Sequence, residues 1–291
     1  MKNSIISKFT LEGKEFFVKR DDLFDPYLSG NKYRKLHTLL QTPKENLDTV
    51  ISYGGTQSNA MLAIAAMCKE KDWKFIYYTK PINKIIKEQN YGNFFHAVEL
   101  GMQHEELEEE LYRDFITTLT FNLDEKTFII NQGGADKSAF DGLRVLAKEI
   151  KEDRMKDTSL DFTAIATPSG TGTTALYLAL SLPEYRVYTT PCVGDVAYLK
   201  EQMSALHKIP SNLLILEPKK KYHFAKLYNE FFKIYEKTKK SGIEFDLLYA
   251  PAMWLALLEM TEEKILYVHS GGVSGNESML KRYRAKEKRR R

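Results

Sequence analysis

The feature that most constrains the fold of this chain is a repeated alternation of short apolar segments with helical patterns. The apolar segments are rich in β-branched and aromatic residues, which favour strands. The predicted strands are 16–20, 49–53, 73–79, 127–131, 161–167, 185–190, 212–216 and 264–269, and the helical patterns lie at about 58–71, 83–98, 105–119, 138–151 and 175–182. Because strands that alternate with helices build parallel sheets, this pattern predicts an α/β fold with a largely parallel sheet.

Composition indicates a globular protein with a basic end. Hydrophobic residues make up 43% of the 291 residues, which is enough for a buried core. The net charge of +4 is unevenly distributed, because the segment Lys281–Arg291 contributes +7 and the remainder carries −3. A basic tail can bind nucleic acid or an acidic membrane, but a solvated chain end is the commoner meaning. We therefore expect neither nucleic acid nor membrane as a partner.

The cysteines and the amino-terminal segment indicate a cytoplasmic setting. Two cysteines do not make a disulfide scaffold, and Cys68 lies in an apolar helical pattern typical of a buried thiol. Residues 1–10 lack the apolar core of a signal peptide, and the apolar segments are too short to cross a bilayer. The six histidines are scattered and no paired CxxC or HExxH motif occurs, so no metal site is predicted.

Lys32 follows the turn-forming residues Ser29-Gly30-Asn31 at the start of a helical pattern. The helix dipole places partial positive charge at that end, so partial desolvation there would lower the pKa of the amine and make it nucleophilic. One interpretation is a lysine that forms a Schiff base. The other is a solvated lysine beside Arg34 and Lys35, and this segment alone does not decide between them.

The loop Ser169-Gly-Thr-Gly-Thr-Thr174 lies between a predicted strand and a predicted helix. Its glycines allow backbone N–H groups to turn toward an anion, and its threonines add hydroxyl donors. The glycines also fit a dinucleotide fingerprint, but the next strand lacks the acidic residue that would bind the ribose, and no Walker lysine follows. A small phosphorylated cofactor fits best, and a plain strand-to-helix turn is the alternative.

Two further turns follow predicted strands and carry polar side chains. Gly54-Gly-Thr-Gln-Ser-Asn59 could hold a substrate carboxylate or a ring hydroxyl, or could simply cap a helix. His269-Ser-Gly-Gly272 places a hydroxyl group at the carboxyl end of a predicted strand, where clefts of parallel sheets form.

Taken together and in this order, these segments resemble the pyridoxal-phosphate enzymes of the tryptophan synthase β fold. The nearest branch contains 1-aminocyclopropane-1-carboxylate deaminase and D-cysteine desulfhydrase. The likeness runs from about Phe17 to Gly275 and rests on segments 19–22, 29–36 and 54–59. It implies two open twisted α/β domains with the cofactor in the cleft between them, the larger formed by residues 1–37 and 148–291 and the smaller by residues 38–147. It also implies a homodimer.

The resemblance also implies roles for individual residues. Lys32 would bind pyridoxal 5'-phosphate through a Schiff base, Asn59 would hydrogen-bond the ring hydroxyl, and Ser58 would contact the substrate carboxylate or assist proton movement. Tyr249 and, with a looser match, Tyr222 would face the substrate and take part in catalysis. The other implied contacts are Thr171, Gly172, Thr173 and Thr174 with the phosphate, Ser270 with the ring nitrogen, and Gln57 and Asn59 with the substrate.

Two positions separate the branches of this family. Deaminases carry Glu after the substrate tyrosine and Leu within His-x-Gly-Gly. Desulfhydrases carry a small or hydroxyl residue after the tyrosine and Thr within His-x-Gly-Gly. This chain has Ala250 and Ser270. A hydroxyl group would not keep the ring nitrogen protonated as a carboxylate would, and this suits β-elimination better than opening of a cyclopropane ring.

We therefore expect a lyase or hydrolase of the D-cysteine desulfhydrase type, acting on a small amino acid and giving pyruvate, ammonia and hydrogen sulfide. One alternative is a 1-aminocyclopropane-1-carboxylate deaminase, which forms 2-oxobutanoate and ammonia. The other is a binding protein that has lost catalysis and works through its basic tail.

Overall fold

The computed structural model describes residues 3–119, 123–260 and 263–289, and its strands form two sheets. The strands are β1 (Ile6–Leu11), β2 (Lys14–Lys19), β3 (Thr49–Tyr53), β4 (Lys74–Thr79), β5 (Gln103–Glu106), β6 (Thr127–Ile130), β7 (Ala164–Ala166), β8 (Arg186–Thr189), β9 (Leu213–Ile215) and β10 (Ile265–Val268). The first sheet has the order β1-β2-β10-β7-β8-β9, and its β1–β2 pair is antiparallel while the other pairs are parallel. The second sheet, β5-β4-β3-β6, is parallel throughout. The predicted α/β fold with largely parallel pairing is confirmed.

Helices connect most of these strands. They are α1 (Gly30–Lys35), α2 (His37–Gln41), α3 (Asn59–Lys71), α4 (Lys84–Glu88), α5 (Gly92–Glu99), α6 (Glu109–Thr118), α7 (Ala139–Lys156), α8 (Thr173–Ser181), α9 (Val196–Ser204), α10 (Asn229–Lys240), α11 (Ala250–Glu259) and α12 (Asn276–Lys288). The basic tail is helical as far as Lys288, and residues 290–291 lie outside the described ranges. Within those ranges, no helix is both long and apolar enough to cross a bilayer.

Helices cover both faces of the six-stranded sheet. Successive side chains of its central strands point to opposite faces, so neighbouring residues pack against different helices. In β10, Leu266 packs with α7 and α8, whereas the next residue, Tyr267, packs with α11 on the other face. Trp254 of α11 stacks on Tyr267 with ring centroids 4.4 Å apart. Burial on both faces explains why these strands are uniformly apolar in the sequence.

The four-stranded sheet has its own core, built mainly against α3. Almost every residue of α3 from Ala60 to Cys68 is buried, and Cys68 is 1% exposed as predicted. All strands of this sheet lie between residues 49 and 130. The predicted domain boundary at 147/148 falls inside the continuous helix α7, whose buried residues pack in the core of the other sheet. Helix α7 thus packs with the six-stranded sheet on both sides of that boundary. The division into residues 1–37 with 148–291 and residues 38–147 stays a prediction.

The edge strand β5 differs from the sequence prediction, which placed residues 105–119 in one helix. Residues 103–106 instead pair in parallel with β4, and α6 begins only at Glu109. The segment Gln-His-Glu-Glu is polar and mostly exposed, so it carries neither the alternation nor the apolar content that indicates a strand. Its hydrogen bonds to β4 are a tertiary effect that local preference does not predict.

A buried ion cluster fixes the position of α1, the short helix that carries Lys32. Arg34 has no exposed surface, and its guanidinium group lies 2.7 Å from carboxylate oxygens of both Asp21 and Glu149. The neighbouring helix α7 also approaches closely, because a Cβ atom on Gly142 would lie 1.8 Å from the carbonyl oxygen of Arg34. The helix is thus held from two directions.

Candidate active site

A cavity opens where the carboxyl ends of β3, β7 and β10 meet. Clefts that bind cofactors commonly form at this edge of parallel sheets. The cavity is lined by Asn31, Lys32, Lys35, Ser58, Asn59, Ala60, Gly133, Pro168, Ser169, Gly170, Thr171, Gly172, Thr173, Thr174, Tyr249 and Ser270. Most of the predicted site residues therefore lie around one cavity.

Lys32 has an amine suited to nucleophilic chemistry. Its Nζ donates a hydrogen bond to the carbonyl oxygen of Gly133 at 3.3 Å. Burial lowers the pKa of Lys32 from 10.5 to about 8, and the negative charge of Asp246 partly opposes this shift. Desolvation, rather than the dipole of the six-residue helix α1, is thus the main cause. The neutral amine is far more abundant near neutral pH than in an ordinary lysine.

Lys35 is a second amine at the cavity that the sequence did not single out. Its Nζ donates to the same carbonyl oxygen of Gly133 at 3.2 Å, and the residue is 6% exposed. Burial, and then the charge of Lys32, hold the pKa of Lys35 well below its usual range. Lys32 and Lys35 are three residues apart and so lie on one face of the helix. This spacing is the sequence signal that could have identified Lys35 as a site residue.

The loop between β7 and α8 has the structure of an anion-binding turn. Gly172 has φ of +75°, and a Cβ atom there would lie 2.4 Å from Met203 Cγ, so other residues do not fit. The hydroxyl groups of Thr171 and Thr173 are 2.9 Å apart, and Thr174 Oγ1 accepts from Asn31 Nδ2 at 3.4 Å. Hydroxyl donors, the first N–H groups of α8 and two nearby amines form a donor set that fits a phosphate ester.

Ser58 and Asn59 form the first turn of α3 on the opposite wall. Ser58 caps this helix, because its Oγ accepts a hydrogen bond from the backbone N–H of Met61 at 3.2 Å. Asn59 Oδ1 accepts from Asn93 Nδ2 at 2.7 Å, so the amino group of Asn59 is left for other partners. The predicted helix cap and the predicted ligand-facing position therefore occur together.

Tyr249 is positioned at the start of α11 by a buried carboxylate. Asp246 Oδ1 accepts the backbone N–H of Tyr249 at 2.6 Å and that of Leu248 at 2.9 Å. Burial raises the pKa of Asp246 to about 6 and raises the pKa of the Tyr249 phenol above its usual range. The Tyr249 hydroxyl group therefore stays protonated and can donate a proton or a hydrogen bond at the cavity.

Ser270 lies in the turn after β10, which packs directly on the lysine helix. Its carbonyl oxygen accepts the backbone N–H of Asn31 at 3.2 Å. Gly30 has φ of +60°, and a Cβ atom there would lie 2.1 Å from the Ser270 carbonyl carbon, so the approach requires glycine. Buried His269 holds the turn, since one ring nitrogen contacts the N–H of Gly271 at 3.1 Å and the other contacts the carbonyl oxygen of Glu244 at 3.0 Å.

Two predicted site residues do not lie on this cavity. Gln57 uses its amide oxygen to accept from the N–H of Asn93 at 3.2 Å and from the Ser278 hydroxyl at 3.1 Å. Tyr222 lines a separate, smaller cavity and packs on Phe231, with ring centroids 4.5 Å apart. Sequence spacing located both segments near the site but could not determine which way these side chains point. Their predicted roles with the substrate stay predictions.

The chain was compared with known proteins. Residues 6–198, more than half of the chain, match the family described as pyridoxal-phosphate dependent enzyme. A Thermotoga maritima protein with the provisional name 1-aminocyclopropane-1-carboxylate deaminase is 27% identical over 90% of each chain. The Arabidopsis thaliana mitochondrial protein named bifunctional D-cysteine desulfhydrase/1-aminocyclopropane-1-carboxylate deaminase is 26% identical, covering 90% of this chain and 73% of its own length. A crystal structure of an ACC deaminase homologue superimposes with a TM-score of 0.74 at 22% identity, over 97% of this chain and 94% of that one.

Proposed function

Because the chain belongs to the pyridoxal-phosphate dependent enzymes, we propose that it catalyses β-elimination from a small amino acid, with D-cysteine as the preferred substrate. The products would be pyruvate, ammonia and hydrogen sulfide. The observation that carries this choice is that no described residue lining the cavity is a carboxylate. Ser270 is at the cavity, whereas Ala250 occupies the position at which the deaminase branch carries Glu.

The residues present fit the cofactor. The loop of Thr171 to Thr174, together with Lys35, would hold its phosphate, and Lys32 would bind its aldehyde carbon. Asn59 would donate to the ring oxygen, and Ser270 would contact the ring nitrogen. When bound, pyridoxal phosphate withdraws electrons from the substrate α-carbon and so lowers the barrier to its deprotonation.

The catalytic work of the chain's own residues is proton transfer and orientation. Lys32 Nζ, once released by the substrate amine, would remove the α-proton, a role that its lowered pKa favours. The protonated Tyr249 hydroxyl would stabilise or protonate the departing sulfur, and Ser58 would orient the substrate carboxylate. The carbon–sulfur bond is broken by elimination and not by attack of water, so the enzyme would be a lyase and the expectation of a hydrolase is wrong. Water then hydrolyses the released 2-aminoacrylate, through its imine, to pyruvate and ammonia.

Deamination of 1-aminocyclopropane-1-carboxylate is the second candidate, because relatives that cover most of this chain bear that name. The direct test incubates the purified protein and pyridoxal phosphate with each substrate in turn. We expect pyruvate and sulfide from D-cysteine, a much slower reaction with L-cysteine, and little 2-oxobutanoate from the cyclopropane acid. Faster formation of 2-oxobutanoate than of pyruvate would reverse the choice, and no keto acid from any of these substrates would reject both.

The lowered pKa of Lys32 predicts the pH dependence of cofactor capture. Only the neutral amine attacks the cofactor aldehyde, so the capture rate should rise with pH and level off above about 8. Between pH 7 and pH 8 the neutral fraction of such an amine grows about fivefold. Stopped-flow absorbance of the apoprotein mixed with pyridoxal phosphate measures this rate. A rate that rises nearly tenfold between pH 8 and pH 9 would indicate an ordinary solvated lysine.

We also propose a homodimer, which the resemblance supports, and a cytoplasmic setting, which the two free cysteines favour. Sedimentation equilibrium of the purified chain, with and without pyridoxal phosphate, determines the oligomeric state. A monomer in both conditions would contradict the dimer.

A further inference from the structure

Asn93 is a fully buried polar residue that touches the site from behind. It is the second residue of α5, has no exposed surface and does not line the cavity. Its side-chain amide lies 2.7 Å from that of Asn59, which does line the cavity. A buried amide whose partner faces a ligand site can determine what that partner offers to the ligand.

The orientation of the Asn93 amide is set by backbone and hydroxyl partners. Asn93 Nδ2 lies 3.1 Å from the backbone carbonyl oxygen of Gln57, and a carbonyl oxygen can only accept. The atom facing it must therefore be the amino group. On the other side, Asn93 Oδ1 accepts from the hydroxyl group of Ser274 at 3.2 Å. These contacts assign the nitrogen and oxygen of Asn93 by chemistry.

The backbone around Asn93 reinforces this arrangement. Gly92 has φ of +82°, and a Cβ atom there would lie 2.4 Å from Ser278 Oγ and 2.9 Å from Gln57 Oε1. This close approach allows the N–H of Asn93 to donate to Gln57 Oε1 at 3.2 Å. Backbone and side chain of Asn93 are thus both attached to Gln57, two residues before Asn59.

The orientation of Asn59 then follows. Because Asn93 presents its amino group, the Asn59 atom 2.7 Å away must be the accepting Oδ1. No residue in the described part of the chain accepts a hydrogen bond from Asn59 Nδ2. Gly272 keeps space beside that amino group, since a Cβ atom on Gly272 would lie 2.3 Å from it. Asn59 is therefore held as a hydrogen-bond donor at the cavity.

We propose that Asn93 is a positioning residue that keeps the amino group of Asn59 directed toward the ring oxygen of bound pyridoxal phosphate. This inference rests on the proposed role of Asn59. A hydrogen-bond donor in that place stabilises the ionised ring oxygen. A reversed Asn59 amide would instead place its Oδ1 against the ring oxygen, and two acceptors would face each other. Asn93 thereby strengthens cofactor binding and lowers the pKa of the ring hydroxyl without touching the cofactor.

The test replaces Asn93 by Leu, which has a similar volume and no donors. The dissociation constant of pyridoxal phosphate, measured by absorbance titration of the apoprotein, should rise about tenfold. The pH midpoint of the visible absorbance of the bound cofactor should also move upward, which loss of stability alone would not cause. Ser274→Ala is the matched control, because it removes a partner of Asn93 and leaves the contact with Asn59, and we expect less than about a twofold change.

A double-mutant cycle separates positioning from structural support. In the Asn59→Ala background, Asn93→Leu should cause no further loss of cofactor affinity, because the residue through which Asn93 acts is gone. The same loss in both backgrounds, or no loss in the single variant, would overturn the inference. Asn93→Asp is a second variant of nearly unchanged shape that presents an acceptor to Asn59 Oδ1, and it should weaken binding at least as much.

The outcomes also distinguish this inference from the proposed function. Failure of the wild-type apoprotein to bind pyridoxal phosphate would reject the proposed function itself. Wild-type binding with an unaffected Asn93→Leu variant would reject only the positioning role. Thermal unfolding of each apoprotein, followed by circular dichroism, shows that the variants compared are folded.

Discussion

Replacing Lys32 by Ala should lower the rate of keto-acid formation by about 10³-fold or more, because in the proposed mechanism one amine both binds the cofactor and removes the α-proton. The variant should also lose the visible absorbance that the bound cofactor gives in the wild type. The cavity contains two lysines whose Nζ atoms share the carbonyl oxygen of Gly133, so activity alone does not identify the attachment point.

Reduction with borohydride followed by peptide mapping identifies it. We expect the cofactor mass on Lys32 in the wild type and on neither lysine in Lys32→Ala. Lys84→Ala is the control, since that side chain is 83% exposed in another helix and should retain wild-type activity. A cofactor label on Lys35, or full activity of Lys32→Ala, would contradict the assignment.

Replacing Arg34 by Met should lower the free energy of unfolding by about 3–5 kcal/mol, because it leaves the buried Asp21 carboxylate without a cation and leaves Glu149 with only Lys19, 3.8 Å away. Urea denaturation followed by circular dichroism measures this loss. The cofactor affinity should fall as well, since Arg34 lies two residues after Lys32 and anchors α1.

Arg144→Met provides the matched control. Its side chain is 69% exposed and lies 3.8 Å from Asp141, so this surface pair contributes little, and we expect a change of less than about 0.5 kcal/mol. Equal effects of the two substitutions would show that the buried cluster does not stabilise the fold beyond an ordinary surface pair.

Much of the fold could be predicted because its signals are local. The central strands are apolar on both faces, and glycine-rich turns follow them, which together indicate parallel pairing. Strand β5 was missed for the opposite reason. Its residues are polar and its strand conformation depends on hydrogen bonds to β4, which are formed only in the folded chain.

The candidate site also combines residues that local sequence signals identify with residues whose placement depends on tertiary contacts. Lys32, Ser58, Asn59 and the loop of Thr171 to Thr174 lie in turns whose residue types carry their own signal, and the structure brings them to one cavity. Tyr222 and Gln57 lie in segments that approach the site, but their side chains turn away from the cavity. The direction of a side chain depends on packing partners that are distant in the sequence.

The sequence by itself therefore determined the α/β class and the glycine-rich turns that line the cavity, because each depends on neighbouring residues, and its motifs indicated the cofactor family by resemblance. Only the tertiary structure decided three other properties. Burial sets the pKa of Lys32 near 8, the packing of α1 brings Lys35 to the same cavity, and Asn93 fixes the amide of Asn59 from 34 residues away. Each of these depends on removal from water or on long-range contact, which arise only when the chain has folded.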